Sequence, residues 1–224
     1  MPHMSQESTG LTVMLVGASG LVGTRCLHRL IDEPSIERVR ILVRQVPSQP
    51  LPDKVEVCVT DFNRLEMHAE WFDVEAVICA LGTTIGKAGS QAAFRQVDFD
   101  YPLQVAQLAK ASGARQFALV SALGADARSN VFYNRVKGEL EEALQAIGFE
   151  SLAVARPSLL QGNRREFRFG ERLALKVAGW LLPVLPLQWR PVQADQVAAA
   201  LVESVLRPQP GLRVMANPQL LQMH

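Results

Sequence analysis

The sequence predicts an α/β fold of the doubly wound type, in which helices cover both faces of a mainly parallel sheet. Short, largely apolar runs alternate along the chain with longer segments of helical spacing. Most of these runs lack the polar alternation of half-exposed strands, which is typical of strands buried on both faces. A glycine-rich turn, GASGLVG, separates the first run from the first helical segment. Buried strands that alternate with helices form parallel sheets through right-handed crossovers.

The individual elements are predicted from local composition and spacing. Strands are predicted over residues 11–16, 39–43, 55–59, 76–80, 117–120, 152–155 and 212–215, where β-branched and other apolar residues cluster. Helices are predicted over residues 21–31, 65–72, 91–111, 130–147 and 194–206, where apolar residues recur at helical intervals. Pro102 is expected to kink the third helix or to begin a new first turn, and Gly148 is expected to cap the fourth.

Length and composition are those of one globular domain. The chain has 224 residues, of which 48% are hydrophobic and 20% charged, and such a chain can bury a large core. We therefore predict one domain over residues 1–224, with a flexible lead-in at 1–10 and a pocket-forming region at about 157–224. The net charge of +1 offers no overall attraction to nucleic acid.

Cysteine usage and apolar stretches indicate a cytoplasmic protein. Cys26, Cys58 and Cys79 lie far apart in apolar stretches and are expected to be buried, reduced thiols. The first ten residues show no signal peptide, and the histidines have no ligand spacing, so no metal is expected. Residues 173–187 are interrupted by Lys176 and two prolines, so we expect a helix that covers a pocket and no membrane span. Contact with a membrane surface is the open alternative.

A phosphate-binding turn is predicted between the first strand and the first helix. Gly17 permits a tight turn, Gly20 lets the backbone approach a pyrophosphate, and Gly23 lets the helix pack closely on the strand. The helix N-terminus offers free N–H groups and a partial positive charge to the anion. The alternative is a strand-to-helix turn with no ligand. The predicted site comprises Gly17, Ser19, Gly20, Leu21, Val22 and Gly23.

Residues at three further strand ends are predicted to border the same ligand. Arg44 ends the second strand, where an NAD-preferring site usually has an acid, and a guanidinium there would favour the 2′-phosphate of NADP. Asp61 and Phe62 follow the third strand and are placed to border an adenine. A loop of mostly small residues follows the fourth strand. The alternatives are a solvent-facing arginine and plain turns. The loop residues are Leu81, Gly82 and Thr83.

The chemical signal is a tyrosine and a lysine that share a helix face behind a serine. Tyr133 and Lys137 have i,i+4 spacing, and Ser121 ends the preceding strand. A neighbouring ammonium favours the phenolate form of a tyrosine, so Tyr133 would exchange a proton with a substrate oxygen as general acid or base. Lys137 would also hold a nicotinamide ribose, and Ser121 would hydrogen-bond the substrate oxygen.

The order of glycine turn, Ser121, Tyr133 and Lys137 resembles the short-chain dehydrogenase/reductase superfamily, in its atypical or extended branch. Residues 117–144, FALVSALGADARSNVFYNRVKGELEEAL, are similar to the Tat-interactive oxidoreductase family and its bacterial relatives, as is VARPSLLQGNR at 154–164. The resemblance implies a Rossmann fold with NADP(H) in its crevice. It also implies Ser121, Tyr133 and Lys137 as the catalytic set, and Pro157 among the cofactor-binding residues.

The leading hypothesis for function is an NADP(H)-dependent oxidoreductase that acts on a small carbonyl or alcohol. One alternative is an NADP(H)-binding sensor or regulator with little turnover. Another is a nucleotide-sugar epimerase or dehydratase, although the chain is short for the C-terminal domain that grips such a sugar. Arg164, Arg168 and Arg172 recur every four residues and form either a clamp for an anionic substrate or a solvated face. A monomer and a homodimer are both compatible with the sequence.

Overall fold

The computed structural model describes residues 10–161 and 185–223. Arg164, Arg168 and Arg172 lie outside the described residues, as does most of the apolar stretch 173–187. Within the two described ranges, no helix has the length and the apolar character that crossing a membrane requires.

Seven parallel strands form the central sheet and confirm the predicted fold class. They are β1 (Leu11–Val16), β2 (Ile36–Val43), β3 (Val55–Val59), β4 (Ala76–Cys79), β5 (Gln116–Val120), β6 (Ser151–Arg156) and β9 (Gly211–Ala216). Two short strands, β7 (Leu160–Gln161) and β8 (Val192–Gln193), pair with each other. Strand β2 begins three residues before its predicted start, because Ile36 pairs with Leu11 ahead of the polar Glu37 and Arg38.

Helices lie between the strands largely as predicted. The predicted helix over 91–111 is interrupted by a π-helical turn at Gln96–Asp100, because Pro102 has no N–H to close the α-helical bond to residue 98. Gly148 caps the helix before β6 at a φ of +75°, as predicted. The helices are α1 (Leu21–Asp32), α2 (Ile85–Ala88), α3 (Gln91–Arg95), α4 (Tyr101–Ala111), α5 (Phe132–Ile147), α6 (Ala194–Leu206) and α7 (Asn217–Leu220).

The helix predicted over 65–72 is a 3₁₀ segment and not a regular α-helix. Phe62–Phe72 instead forms 3₁₀ turns, and Arg64 and His68 have non-helical backbone angles inside it. The His68 ring stacks on Trp71, with 3.8 Å between centroids, and Leu65 and Phe72 fill the core. A broken segment can place these side chains where a regular α-helix could not, because 3₁₀ turns bring residues i and i+3 into line.

Two hydrophobic layers cover the sheet. Leu15 and Ile78 face the layer formed with α1 and α6, while Val77 and Leu119 face the layer formed with α4 and α5. The alternation follows the twofold period of a strand. The three cysteines are buried, unpaired thiols in these layers, as predicted.

The strand order places a crevice between β1 and β4. The central sheet runs β3-β2-β1-β4-β5-β6-β9, so the chain proceeds to one side from β1 and then crosses to the other. At such a switch point the loops that follow the two central strands diverge, and open α/β sheets bind ligands there. The site residues are therefore expected at the carboxyl ends of β1, β4 and β5.

Candidate active site

The glycine turn lies against the loop that follows β4. A Cβ on Gly17 would lie 2.7 Å from the carbonyl carbon of Ala80, and Gly17 has a φ of +88°. A Cβ on Gly23 would lie 2.0 Å from the Gly17 oxygen. Both positions therefore need glycine for the fold itself, because no side chain fits at such distances.

Gly20 differs from the other two glycines. Its φ is −77°, which any residue adopts. A Cβ there would lie 3.2 Å from the Gly17 oxygen, with the Ala80 oxygen next at 3.8 Å. The fold constrains this position far less than it constrains Gly17 and Gly23, so close approach of a ligand is the better reason for glycine here.

The other residues of the turn surround the start of α1. Ser19 is exposed, Leu21 is half-buried and Val22 is buried. Gly20 is the N-cap of α1, and within the described ranges no side-chain cap bonds the first N–H groups of that helix. The N-terminus of a helix without such a cap can bind an anion, so the predicted phosphate site stays a prediction.

Arg44 lies exposed just beyond β2. Within the described ranges it has no hydrogen bond or ion pair. Because β2 lies beside β1 in the sheet, the guanidinium is free to meet a ligand that extends from the glycine turn across the carboxyl end of β2. No acid replaces it there, since Gln45, Val46 and Pro47 follow.

Asp61 and Phe62 have different surroundings. Oδ1 of Asp61 accepts hydrogen bonds from the backbone N–H and the side-chain amide of Asn63, at 3.0 Å and 2.8 Å. The Phe62 ring is buried, with its centroid 5.2 Å from that of Tyr101. The Phe62 side chain therefore packs in the core, and only Asp61 remains exposed beside the crevice.

The loop after β4 is joined to α5 through a buried carboxylate. Lys137 Nζ lies 2.8 Å from Oδ1 of Asp98, and Oδ2 of Asp98 accepts a hydrogen bond from the Thr83 N–H at 2.8 Å. A Cβ on Gly82 would lie 4.0 Å from Lys137 Nζ. Leu81 is half-buried against the core. The predicted Leu81–Thr83 loop and the predicted lysine therefore meet in one place.

Lys137 is held in its charged form. Burial lowers its pKa, but the Asp98 carboxylate, then Tyr133, and Cys79 more weakly, all raise it, and the net result is a pKa above the ordinary value. The side chains of Lys137 and Asp98 are 4% and 1% exposed. A buried cation beside Tyr133 is the electrostatic arrangement that the sequence predicts.

Tyr133 lies in the first turn of α5, one turn before Lys137. Its ring centroid is 5.5 Å from that of Phe94, and no described residue hydrogen-bonds its hydroxyl. The loop between β5 and α5 holds the helix start, since the Asp126 N–H donates to the Asn134 oxygen at 3.1 Å. A Cβ on Gly138 would lie 2.1 Å from the Ala127 nitrogen. This glycine therefore lets the loop lie directly on α5.

Ser121 is on the predicted face but has a different partner. Its hydroxyl donates to Oε1 of Glu141, and Arg156 donates to both oxygens of the same carboxylate, with Nε at 3.1 Å from each. Among the described residues, the Ser121 hydroxyl makes this hydrogen bond to Glu141 and none to Tyr133 or Lys137. Its predicted bond to a substrate oxygen stays a prediction. Pro157 is buried behind it, and its carbonyl accepts from the Leu123 N–H at 2.8 Å.

Three polar residues of this region were not found by sequence reasoning: Asp98, Glu141 and Arg156. Sequence signals could have identified Asp98 and Glu141. Asp98 follows Phe94 by four residues, on the buried face of a helical pattern, and a buried acid needs a partner. Glu141 follows Lys137 by four residues, which continues the face that carries Tyr133 and Lys137. Among the described residues, no group of three or more acidic, histidine or cysteine side chains could hold a metal.

Comparisons with known proteins concern the family and the fold of the chain. Residues 17–208 match the family model described as NAD(P)H-binding. Protein HTATIP2 of Rattus norvegicus is 34% identical over 219 residues, which cover 95% of this chain and 88% of that protein. A protein of Emericella nidulans named "Protein fmp52, mitochondrial" is 36% identical over 175 residues, 75% of each chain.

Solved structures share the fold at low sequence identity. The UDP-glucose 4-epimerase of Thermotoga maritima, solved with UDP-glucose, has a TM-score of 0.69 at 15% identity, over 92% of this chain and 77% of that one. A short-chain dehydrogenase/reductase superfamily protein of Agrobacterium tumefaciens, solved with bound NAD, has a TM-score of 0.69 at 14% identity, over the same shares. At such identities the likeness concerns the fold alone.

Proposed function

Because the chain belongs to the NAD(P)H-binding family and has the fold of the short-chain dehydrogenase/reductase superfamily, we propose that it is an NADP(H)-dependent oxidoreductase. Its substrate in this proposal is a small carbonyl or alcohol. The observation that carries the proposal is the meeting of Lys137, the loop after β4 and the glycine turn in one crevice. Tyr133 lies one helical turn from Lys137, so a proton donor and a buried cation stand together.

The residues of the crevice fit a dinucleotide. Gly20 carries no side chain at the N-cap of α1, and no side-chain cap bonds the first N–H groups of that helix within the described ranges. These groups would hold the pyrophosphate, and Lys137 would hold the nicotinamide ribose. Arg44 would pair with a 2′-phosphate, which supports NADP over NAD.

The residues of α5 supply the acid–base chemistry in this proposal. The cofactor would provide the hydride that a carbonyl carbon accepts. Tyr133 would then donate its hydroxyl proton to the carbonyl oxygen, or take a proton from an alcohol in the reverse direction. The charge on Lys137 stabilises the phenolate that remains. Ser121 is the third member of the predicted set, but its bond to Glu141 leaves the proton transfer to Tyr133.

An NADP(H)-binding regulator with little turnover is the second candidate. The observation that favours it is the same Ser121–Glu141 bond, because a serine occupied in this way adds little to substrate binding. Some structural neighbours were solved with nucleotide-sugars, namely UDP-glucose and UDP-glucuronic acid. At 15% and 17% identity this likeness assigns no substrate to the chain, and an epimerase or dehydratase stays a weaker alternative.

A screen of NADPH oxidation tests the proposal. Aldehydes, ketones and quinones are offered to the purified full chain, in parallel with the Tyr133→Phe variant. We expect at least one class to be reduced, with a large loss of rate in the variant. NADPH binding without turnover in every class would favour the regulator instead.

The cellular compartment stays a prediction. We propose a reducing compartment, the cytoplasm, because the three cysteines are buried, unpaired thiols. The fungal relatives have "mitochondrial" in their names, which concerns those proteins. Localisation of the tagged full chain by microscopy or fractionation decides the point.

A further inference from the structure

A polar cluster of two buried residues and one half-buried arginine joins α5 to the ends of β5 and β6. Val120 and Ala155 are partners in the register of the two strands, so the next residues, Ser121 and Arg156, stand side by side. Both face the α5 layer, where Glu141 reaches between them. We call Ser121, Glu141 and Arg156 the α5 clamp.

The hydrogen bonds of the α5 clamp fix the direction of the Ser121 hydroxyl. Arg156 donates through Nε and Nη2, and a guanidinium cannot accept. The carboxylate of Glu141 therefore serves as acceptor throughout, and the bond from Ser121 must be donated by the serine. The hydrogen bond with Glu141 also raises the pKa of Arg156. A serine hydroxyl has one hydrogen, so none remains for a substrate carbonyl.

The α5 clamp and Tyr133 also lie at different positions along the axis of α5. Glu141 follows Tyr133 by eight residues on α5, which at 1.5 Å per residue is about 12 Å along the helix axis. Ser121 is 4% exposed, and its only side-chain hydrogen bond within the described ranges is the one to Glu141. Nothing in this arrangement directs the Ser121 hydroxyl towards the oxygen that Tyr133 would protonate.

We infer that Ser121, Glu141 and Arg156 are positioning residues, which hold α5 against β5 and β6, and that Tyr133 is the single hydroxyl of the predicted set that donates to the substrate oxygen. The inference rests on the proposed function. It assigns Ser121 to the placement of α5, and therefore of Tyr133 and Lys137. It also assigns a role to two residues that lie outside the crevice.

The first test compares Ser121→Ala with Tyr133→Phe in the NADPH-oxidation assay. Ser121→Ala should lower kcat by about fivefold at most, with a similar KM, because no bond to the reacting oxygen is lost. Tyr133→Phe should lower kcat by about 10²–10⁴. Ser121→Thr keeps the hydroxyl and should therefore have the same kcat as the unmutated chain. A loss of about 100-fold in Ser121→Ala at unchanged NADPH affinity would make Ser121 a catalytic residue and overturn the inference.

The second test needs no turnover and therefore separates this inference from the proposed function. Urea unfolding is measured for Ser121→Ala, Glu141→Ala and the double variant. Residues in direct contact give non-additive effects, so Ser121→Ala should lower the unfolding midpoint in the unmutated chain and have a much smaller effect once Glu141 is alanine. Equal shifts in both backgrounds would overturn the clamp. If no substrate is found, the proposed function fails, while this cycle still decides whether the clamp exists.

Discussion

The ammonium nitrogen of Lys137 lies 2.8 Å from Oδ1 of Asp98, in a place where both side chains are almost fully buried. The second carboxylate oxygen of Asp98 is bound to the Thr83 N–H. The carboxylate therefore connects α5 to the loop after β4, and a change at Asp98 should affect both. Asp98 lies in the π-helical turn that precedes α4. From this turn its side chain reaches Lys137.

Replacement of Asp98 should be costly, and the size of the cost should depend on the replacement. Asp98→Ala leaves Lys137 buried without a partner, and removal of one member of a buried pair typically costs about 3–5 kcal/mol in the free energy of unfolding. Asp98→Asn keeps a group that can accept from the Thr83 N–H, so it should cost less. Urea unfolding of both variants checks this order. Equal losses would show that the Thr83 bond contributes nothing.

Asp98→Asn should also change the pH dependence of NADPH binding. In the unmutated chain the Lys137 pKa is above 10.5, so the raised pKa adds stability that is fully present at neutral pH and is lost only in strong alkali. Without the Asp98 charge, burial is the largest remaining influence and lowers that pKa. With rising pH, NADPH affinity should therefore weaken earlier in Asp98→Asn than in the unmutated chain, because Lys137 loses its proton at a lower pH. Calorimetric titration over a pH series measures it, and parallel profiles would contradict it.

The glycine turn should separate folding from ligand binding. Gly20→Val should abolish NADPH binding and leave a folded protein, because the φ at Gly20 is ordinary and its nearest neighbour is at 3.2 Å. Gly23→Ala should instead unfold the region, since its Cβ would lie 2.0 Å from the Gly17 oxygen. Circular dichroism measures whether each variant folds, and fluorescence titration with NADPH measures whether it binds the cofactor. Gly86→Ala, with no atom within 4 Å of the new Cβ, is the control.

Arg44 should set the preference for NADPH over NADH. Arg44→Ala should weaken NADPH binding by about 1.5–3 kcal/mol, the range of a hydrogen bond to a charged group, and leave NADH binding nearly unchanged. Arg38→Ala is the matched control, because Arg38 is also exposed on β2 but lies six residues away at the other end of the strand. Calorimetry with both cofactors measures the gap. Equal affinities in the unmutated chain would defeat the assignment of NADP.

Tyr133 should be needed for turnover and dispensable for cofactor binding. Tyr133→Phe removes one oxygen and keeps the ring beside Phe94, so NADPH affinity should stay within a few-fold while kcat falls by about 10²–10⁴. The chain has two tyrosines, and Tyr101→Phe is the control, since the Tyr101 hydroxyl bonds Asn63 and no residue of α5. Lys137→Met should weaken both NADPH binding and turnover. An unchanged rate in Tyr133→Phe would place the proton donor elsewhere.

The sequence predicts most of the fold because hydrophobic periodicity and glycine positions are local signals. Strand β1, the turn at Gly17 and the cap at Gly148 all depend on residues within a few positions of one another. The 3₁₀ turns at Phe62–Phe72 instead depend on how Leu65 and Phe72 pack in the core. Spacing alone cannot reveal such packing.

The partners of the site residues were harder to predict than the residues themselves. Tyr133 and Lys137 share a face through simple helical geometry, which is readable in one dimension. Asp98 and Lys137 are 39 positions apart, and Ser121 and Glu141 are 20 positions apart, so their meeting depends on how α5 crosses the sheet. The order of residues along the chain therefore predicted that Ser121 binds the substrate oxygen. In the structure the Ser121 hydroxyl donates its hydrogen bond to Glu141 instead.

The burial of the three thiols makes the chain resistant to electrophiles. Burial raises the pKa of Cys26 to about 12, and those of Cys58 and Cys79 to about 11, so almost no thiolate is present near neutral pH. The thiolate is the form that attacks quinones, maleimides and peroxide. Quinones can therefore be offered to the folded protein as substrates with little arylation of its three cysteines.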